Sequence, residues 1–366
     1  MPQEFHFAIL GCGAIAQTQA EAISALEPEA VKLAACVDSA AERAEALAAK
    51  FSSAASRSWQ EVLADPRIDA VTICTPSGLH GVHTEEALAA GKHVIVEKPM
   101  DVSLEACDRM LEAAKRAGKI LAVISQHRFD PASAFVKAAI DQGRLGKLVA
   151  VEVRVPWYRT QEYYDSGNWR GTWKLDGGGC LMNQGIHTVD LMRWLCGPLR
   201  SVTARMTTAT HERIEVEDLI VGTLEFENGA LGTLIASTSL YPGLTASIAV
   251  YGEKGTAVID GDCLRTFSIV DGESLEPQEA SHHAIQVATG GTRAAVAHSV
   301  PLRKTSETAW GWGEAHRVQL LDFVRACRGE QERPLIDGME GRNAVEAVLA
   351  LYKAALEKRP VELPLR

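Results

Sequence analysis

The chain has 366 residues, 46% apolar and 23% charged, an ordinary globular composition with room for two domains. A formal net charge of −10, with no block of clustered Lys and Arg, argues against a nucleic-acid partner. Eight cysteines, at 12, 36, 74, 107, 180, 196, 263 and 327, stand too far apart for a CxxC redox pair or a paired-cysteine zinc knuckle. They read as buried thiols in a reducing cytosol, and no metal is predicted. The start MPQEFHFAIL has no basic n-region, and nowhere do about 20 apolar residues run together, so a cytoplasmic protein without a membrane span is expected.

In chain order, short apolar runs at 5–10, 31–37, 70–74, 93–96 and 120–124 alternate with amphipathic segments such as AAERAEALAAKF and SLEACDRMLEAAKRAG. Strands buried on both faces, joined by helical crossovers, form a parallel doubly wound sheet. Gly118 after Lys115 and Arg116 is a helix stop. From about residue 147 the rhythm changes: Val149, Val151, Val153 and Val155 alternate with polar or small residues, a strand with one wet face. VEDLIVGTLEF and ALGTLIASTSL flank Asn228-Gly229, a hairpin signal, and strand-like runs continue to about Val270. Residues 272–312 carry no clear period and are left unassigned. Two helical segments, EAHRVQLLDFVRACRG and MEGRNAVEAVLALYKAALEK, close the chain. The expected organisation is an α/β domain at 1–125, a Rossmann-type parallel sheet, then an α+β domain at 126–366 with a large open, mainly antiparallel sheet. The final helices are free to pack back on the first domain.

The first strand runs into GCGAIA, where Gly11, Gly13, Ala14, Ile15 and Ala16 allow a tight turn and close approach of a pyrophosphate to a helix N-terminus. The second strand ends at Asp38, 25 residues beyond Gly13 (38 minus 13), against a usual spacing of about 20. A carboxylate there bonds an adenosine ribose and repels a 2′-phosphate, so NAD is the first choice. Ser39 and Arg43 keep NADP open, and Asp38 can also cap the helix that follows. Thr75 and Pro76 leave the fourth strand where open α/β sheets bind ligands, and His80 and His83 open the next helix, where packing or capping outweighs catalysis. His80 joins the cofactor-side candidates. Glu97-Lys98-Pro99 ends the fifth strand; Lys98 can stabilise an alkoxide and Glu97 fix the ammonium or a ribose, while an exposed ion pair is the plainer alternative.

The segment WYRTQEYYDSGNWRGTW is dense in groups that stack on sugars and bond hydroxyls, Trp157, Tyr158 and Tyr163 among them; an aromatic subunit contact is the alternative. In GGGCLMNQGIHTVDLMRWLCG a helix starting near Met182 sets Asn183, His187, Asp190 and Trp194 on one face. His187 can take a hydroxyl proton near neutral pH, with Asp190 orienting its ring; a satisfied core histidine is an even alternative.

The order GCGAIA, Asp38, TPSGLH, EKP, QHRFDPA, WRGTW and GGGCLMNQGIHTVDLMRWLCG resembles the glucose-fructose oxidoreductase/inositol dehydrogenase/MocA family over about residues 5–260. The resemblance implies Lys98 and His187 as the catalytic pair. It places Asn183 where many members carry an aspartate; an amide cannot accept a proton, so Asn183 orients substrate. It also implies Gln126, Trp169 and Arg170 beside the cofactor, and Arg128 as either a substrate contact or a helix anchor. The expected activity is NAD(P)-dependent hydride transfer at a secondary hydroxyl of a sugar, cyclitol or sugar derivative. A nucleotide-linked sugar acid dehydrogenase, with Arg154, Arg159 and Arg170 around a diphosphate, and a non-catalytic dinucleotide sensor are the alternatives. A homodimer or homotetramer through the C-terminal sheet is expected.

Overall fold

The computed structural model describes residues 4–56, 58–270, 272, 274–275 and 312–365. The unassigned stretch 272–312 therefore lies outside the described residues but for 272, 274, 275 and 312. The chain divides into two compact units, residues 1–126 with 311–342, and residues 127–310 with 343–366.

In the first unit, β1 (Phe5–Leu10), β2 (Val31–Val37), β3 (Ala54–Ala55), β4 (Ala70–Ile73), β5 (His93–Val96) and β6 (Leu121–Val123) form an all-parallel sheet. Their order is β3-β2-β1-β4-β5-β6, reversing between β1 and β4 as in a dinucleotide-binding sheet. The run Val94, Ile95 and Val96 is wholly buried, because helices cover both faces of such a sheet. The connections are α1 (Ala14–Ser24), α2 (Ala41–Lys50), α3 (Trp59–Ala64), α4 (His80–Ala89) and α5 (Leu104–Ala117). In α5 the Ser103 hydroxyl accepts from the Ala106 N–H at 3.2 Å, and Gly118 ends the helix at φ 62°. A later helix, α9 (Trp312–Cys327), completes this core: Leu320, Phe323 and Val324 pack with Phe7, Ala16, Ala20 and Ile23. The Gln319 amide bonds the Ser125 N–H (3.1 Å) and the Val123 carbonyl (2.7 Å).

In the second unit, β7 (Leu148–Pro156), β8 (Leu199–Thr207), β9 (Leu219–Phe226), β10 (Leu231–Ser237), β11 (Ser247–Gly252), β12 (Gly255–Asp260), β13 (Cys263–Ile269), β14 (Ser274–Leu275) and β15 (Val361–Glu362) make a nine-stranded sheet. Its order is β14-β13-β12-β11-β7-β10-β9-β8-β15; β7 and β10 run parallel and the other neighbours antiparallel. Helices α6 (Pro131–Asp141), α7 (Gln161–Asp165), α8 (Ile186–Cys196) and the part of α10 (Gly338–Glu357) from residue 343 on belong here.

The expected hairpin forms at Asn228-Gly229, with Gly229 at φ 86° and the Asn228 side chain accepting from the Ala230 N–H. The valine alternation holds for Val151, Val153 and Val155, which are buried, but Val149 is 52% exposed. The cause is a register shift against β11: Tyr251 pairs with Ala150 and Gly252 with Leu148, so Val149 is an extra residue in a bulge.

Candidate active site

The cofactor-side residues gather at the carboxyl ends of the parallel strands. Gly11, at φ 88°, turns the chain out of β1; a Cβ there would stand 2.8 Å from the Cys74 carbonyl, so only glycine fits. Gly13, Ala14, Ile15 and Ala16 lead into α1, whose first N–H groups receive no side-chain cap and remain open to an anion. Asp38 is fastened from two sides: Oδ2 accepts from the Cys12 N–H at 2.7 Å and Oδ1 from the Ala40 N–H at 2.8 Å. Ser39 reaches Oδ1 at 3.4 Å. Thus Asp38 both starts the segment before α2 and ties the second strand to the glycine loop.

Thr75 and Pro76 follow β4, with Thr75 Oγ1 at 3.3 Å from His83 Nδ1. Beyond β5, Lys98 is half-buried between buried Glu97 and buried Pro99, and the Lys98-Pro99 peptide is cis. Glu97 accepts from the Gln19 amide (2.6 Å) and from the Lys98 N–H (3.2 Å). Burial holds its carboxyl above the usual carboxylate range, with the Lys98 charge acting the other way. Gln126 is buried in a short 3₁₀ turn, Gln126–Phe129, after β6.

In the second unit the polar and aromatic candidates form one cluster around Tyr163. Its hydroxyl accepts from Arg170 Nη1 (2.6 Å) and from the Gln184 amide (2.7 Å), and donates to Asn183 Oδ1 at 3.4 Å. The Arg170 guanidinium lies 4.4 Å from the Tyr163 ring centre and 4.5 Å from that of Trp169. Arg159 stacks on Trp157 at 5.0 Å and on Tyr163 at 5.5 Å, and its Nη2 donates to Gln184 Oε1 at 2.9 Å. Burial lowers its pKa from the ordinary arginine value. Asn183 is held by Gln184 at Oδ1 (2.6 Å) and by a short bond from Nδ2 to Asp176, whose other oxygen accepts the Gly171 N–H at 2.8 Å. The amide expected to orient substrate therefore has a carboxylate directly behind it.

The run of three glycines serves a backbone approach. Gly179 lies against the strand-leading residue Glu217, whose carbonyl would stand 1.7 Å from a Cβ. Glu217, buried among α10 and the turn, accepts from the Gly179 N–H (2.9 Å), the Leu181 N–H (2.9 Å) and the Tyr352 hydroxyl (2.8 Å). Asp218 faces the other way and accepts from the N–H groups of residues 209–211 and from His211 Nδ1, which hold its carboxyl far below the usual range against the opposing effect of burial.

Several expectations need correction. Asn183 and His187 do not share an α-helix: Cys180–Gly185 is a π-helical turn and α8 begins at Ile186, so the i, i+4 spacing does not set their relation. Asp190 does not orient His187. It closes on Arg128 with Nε–Oδ2 at 2.8 Å and Nη2–Oδ1 at 2.6 Å, both side chains buried, and Arg128 is thereby anchored to α8. Tyr158 packs edge-on against Tyr241 at 5.3 Å. Arg154 stands apart from Arg159 and Arg170, lining a groove of about 1000 Å³ on the sheet face with Arg205, Lys358 and Arg359. His80 is buried, with each ring nitrogen against a backbone carbonyl.

Sequence reasoning missed Gln184 and Asp176, whose roles arise from the local fold of the turn, and Glu217 and Tyr352, which meet across 135 positions of the chain. It also missed a group beside His187: His127 lies edge-to-face with it, ring centres 5.2 Å apart. His127 Nδ1 stands 2.7 Å from Asp130 and 3.2 Å from Asp262, three ligand atoms within 4.8 Å of one another. Burial opposes a charge on His127, but the two carboxylates outweigh it and raise its pKa well above the usual value.

Residues 5–125 match the oxidoreductase family with an NAD-binding Rossmann fold, and residues 133–258 match the GFO/IDH/MocA C-terminal domain. The scyllo-inositol 2-dehydrogenase (NAD(+)) of Bacillus subtilis is 32% identical over 267 residues, 71% of this chain and 75% of that protein. The chain belongs to the Gfo/Idh/MocA family. Within it, an uncharacterized oxidoreductase of Synechocystis is 30% identical over 220 residues, 57% of this chain. The chain spans about three fifths of the length of the first curated relatives it matches, 59% and 58%. Among solved structures, the WlbA dehydrogenase from Bordetella pertussis, in complex with NADH and UDP-GlcNAcA, is 34% identical with a TM-score of 0.85, over 100% of this chain and 99% of that one. The family model that matches residues 5–125 describes an NAD-binding Rossmann fold. Among the described residues no helix is long and apolar enough to cross a membrane.

Proposed function

We propose that this Gfo/Idh/MocA protein oxidises a secondary hydroxyl of a sugar, cyclitol or sugar derivative, passing hydride to a nicotinamide held on the first unit. Lys98 meets the reacting oxygen and stabilises it as an alkoxide, and His187 takes its proton. Asn183, locked between Gln184 and Asp176, fixes a neighbouring hydroxyl. NAD is the preferred cofactor, because Asp38 presents a tethered carboxylate where a 2′-phosphate would be repelled. When bound, the nicotinamide supplies the hydride acceptor; positioning and proton movement fall to the chain's own residues.

The observation that carries the sugar reading is the orphaned indole of Trp157. Its buried N–H has no partner among the described residues, beside a wall of Tyr163, Arg159 and Gln184. A buried donor left unmet is costly, and a ligand hydroxyl or carboxylate satisfies it. A second reading, a nucleotide-linked sugar acid as substrate, is favoured by the gathering of Arg159 and Arg170 on Tyr163 and by the similarity to the Bordetella enzyme. The groove on the nine-stranded sheet, with Val221 and Leu231 exposed on that sheet, supports a homodimer or homotetramer through that face. The division near residue 126 fits a cofactor unit followed by a substrate and oligomerisation unit.

The test is an NAD-reduction screen over monosaccharides, inositols, anhydrosugars and UDP-sugar acids. Turnover of at least one class, abolished in Lys98→Ala with dinucleotide binding intact, is the expected result. Tight NAD binding with no reduction of any of them would replace the enzyme by a dinucleotide sensor.

A further inference from the structure

His80 opens α4 yet contributes nothing to its surface: the side chain is 1% exposed and lies between two loops of the first unit. Nε2 stands 2.8 Å from the Thr75 carbonyl, in the loop after β4. Nδ1 stands 2.7 Å from the Pro99 carbonyl, in the loop after β5, one residue beyond Lys98. The next residue of the helix extends the same grip, since the Gly81 N–H donates to Asp101 Oδ2 at 2.9 Å. Asp101 in turn accepts from the N–H groups of Val102 (2.7 Å) and Ser103 (3.3 Å). Upstream, the Lys98 N–H is taken by Glu97, itself held by Gln19 from α1.

We propose that His80 is a positioning residue for Lys98: a buried imidazole strut, with Nδ1–H bonded to the Pro99 carbonyl, that fixes the lysine-bearing loop to the cofactor loop at Thr75. This rests on the reading of Lys98 as the group that meets the reacting oxygen. Lys98 is carried on a half-buried loop, and its ammonium sits at the end of a four-carbon stem. Small movements of Pro99 therefore translate into displacements of the charge, and reaction geometry tolerates little misplacement. The chemistry of the ring makes the two links separable. Both faced atoms are carbonyl oxygens, which accept only, so each link needs a ring proton of its own. Burial works against a second proton, lowering the pKa from the usual histidine value, while the two carbonyls and the nearby carboxylates of Asp101 and Glu97 work for it. The bond at Pro99 is the one that bears on Lys98.

Two variants divide the strut. In His80→Asn the amide can reach the place of Nδ1 and keep the Pro99 link alone; in His80→Gln it can reach the place of Nε2 and keep the Thr75 link alone. His80→Gln should lower kcat about tenfold, the worth of roughly one hydrogen bond in the transition state, with NAD affinity within about twofold. His80→Asn should hold kcat within about threefold and weaken NAD binding instead. Equal losses in both variants, or an unchanged kcat in His80→Gln, would overturn the assignment. Two measurements need no substrate and so stand apart from the proposed activity. After reductive ¹³C-methylation, the Lys98 resonance, identified with Lys98→Arg, should move in His80→Gln and not in His80→Asn; a signal unmoved in both argues against the strut. In the unmutated protein, ¹⁵N-labelled His80 should carry a proton on Nδ1. An unprotonated Nδ1 means that the Pro99 link does not exist, whatever the variants do.

Discussion

Arg128 and Asp190 form a buried, two-bonded ion pair, at 2.8 and 2.6 Å, between the turn that follows β6 and the middle of α8. Neither side chain has appreciable exposure, so each charge depends on the other for its solvation. Asp190→Ala removes both bonds of this pair from a buried guanidinium and should cost about 3–5 kcal/mol, whereas the double variant Arg128→Met/Asp190→Leu should cost much less. Urea unfolding of both single variants and the double variant measures this; a double-variant loss equal to the sum of the single-variant losses would mean that the pair is not coupled.

Asp38→Ser should relax the choice of cofactor. It removes the charge that opposes a 2′-phosphate, and it also releases the Cys12 N–H inside the glycine loop. NAD affinity should fall at least about tenfold while NADP affinity rises. Isothermal titration with both dinucleotides checks it, and an unchanged preference would move the ribose contact elsewhere.

Gly179→Ala should be among the most damaging single-methyl additions in the chain. The new Cβ meets the Glu217 carbonyl at 1.7 Å, a backbone atom that accepts from the Cys180 N–H at 3.0 Å, so relief requires moving the turn that carries Asn183. We expect loss of soluble folded protein or a fall in stability of about 3 kcal/mol or more, seen in thermal melts. A variant melting like the parent protein would show that the turn is not built as described.

His93 gives a pH dependence of known sign. Burial, and next the Lys119 charge, press its pKa down to about 4, and its Nδ1 accepts from the Ile120 N–H at 3.0 Å, which only a neutral ring can do. The unfolded chain binds a proton near pH 6.5 and the folded one does not until about 4. This residue's contribution is therefore fully present above about pH 6.5 and is lost as the pH falls toward 4. His93→Asn, which can still accept from Ile120, should flatten the melting temperature between pH 7 and 4.5; an unaltered slope would assign the dependence to other groups.

What the sequence revealed depended on range. The parallel strands, the glycine loop, Asp38 and the strand ending at Lys98 were legible because local periodicity and loop chemistry specify them within about a dozen residues. The hairpin at Asn228-Gly229 was legible for the same reason. Roles set by distant partners were not. Asp190 sits three residues after His187, which suggests a pair on one helix, but its partner is Arg128, 62 positions away. Glu217 looks like one acid of the VED triplet until Tyr352 and the Gly179 N–H close around it. Val149 followed the alternation, and only the pairing of β7 with β11 disclosed the bulge that turns it outward.

The π-helical turn at Cys180–Gly185 holds one residue more per turn than the helix it feeds. Extra residues of this kind can be removed singly, letting an ordinary turn close in their place. A one-residue deletion there would bring a different side chain into the position of Asn183 while leaving α8, with His187 and Asp190, in register. The turn thus works as an adjustable joint, a place where a descendant could exchange the residue proposed to orient substrate by changing the length of the chain.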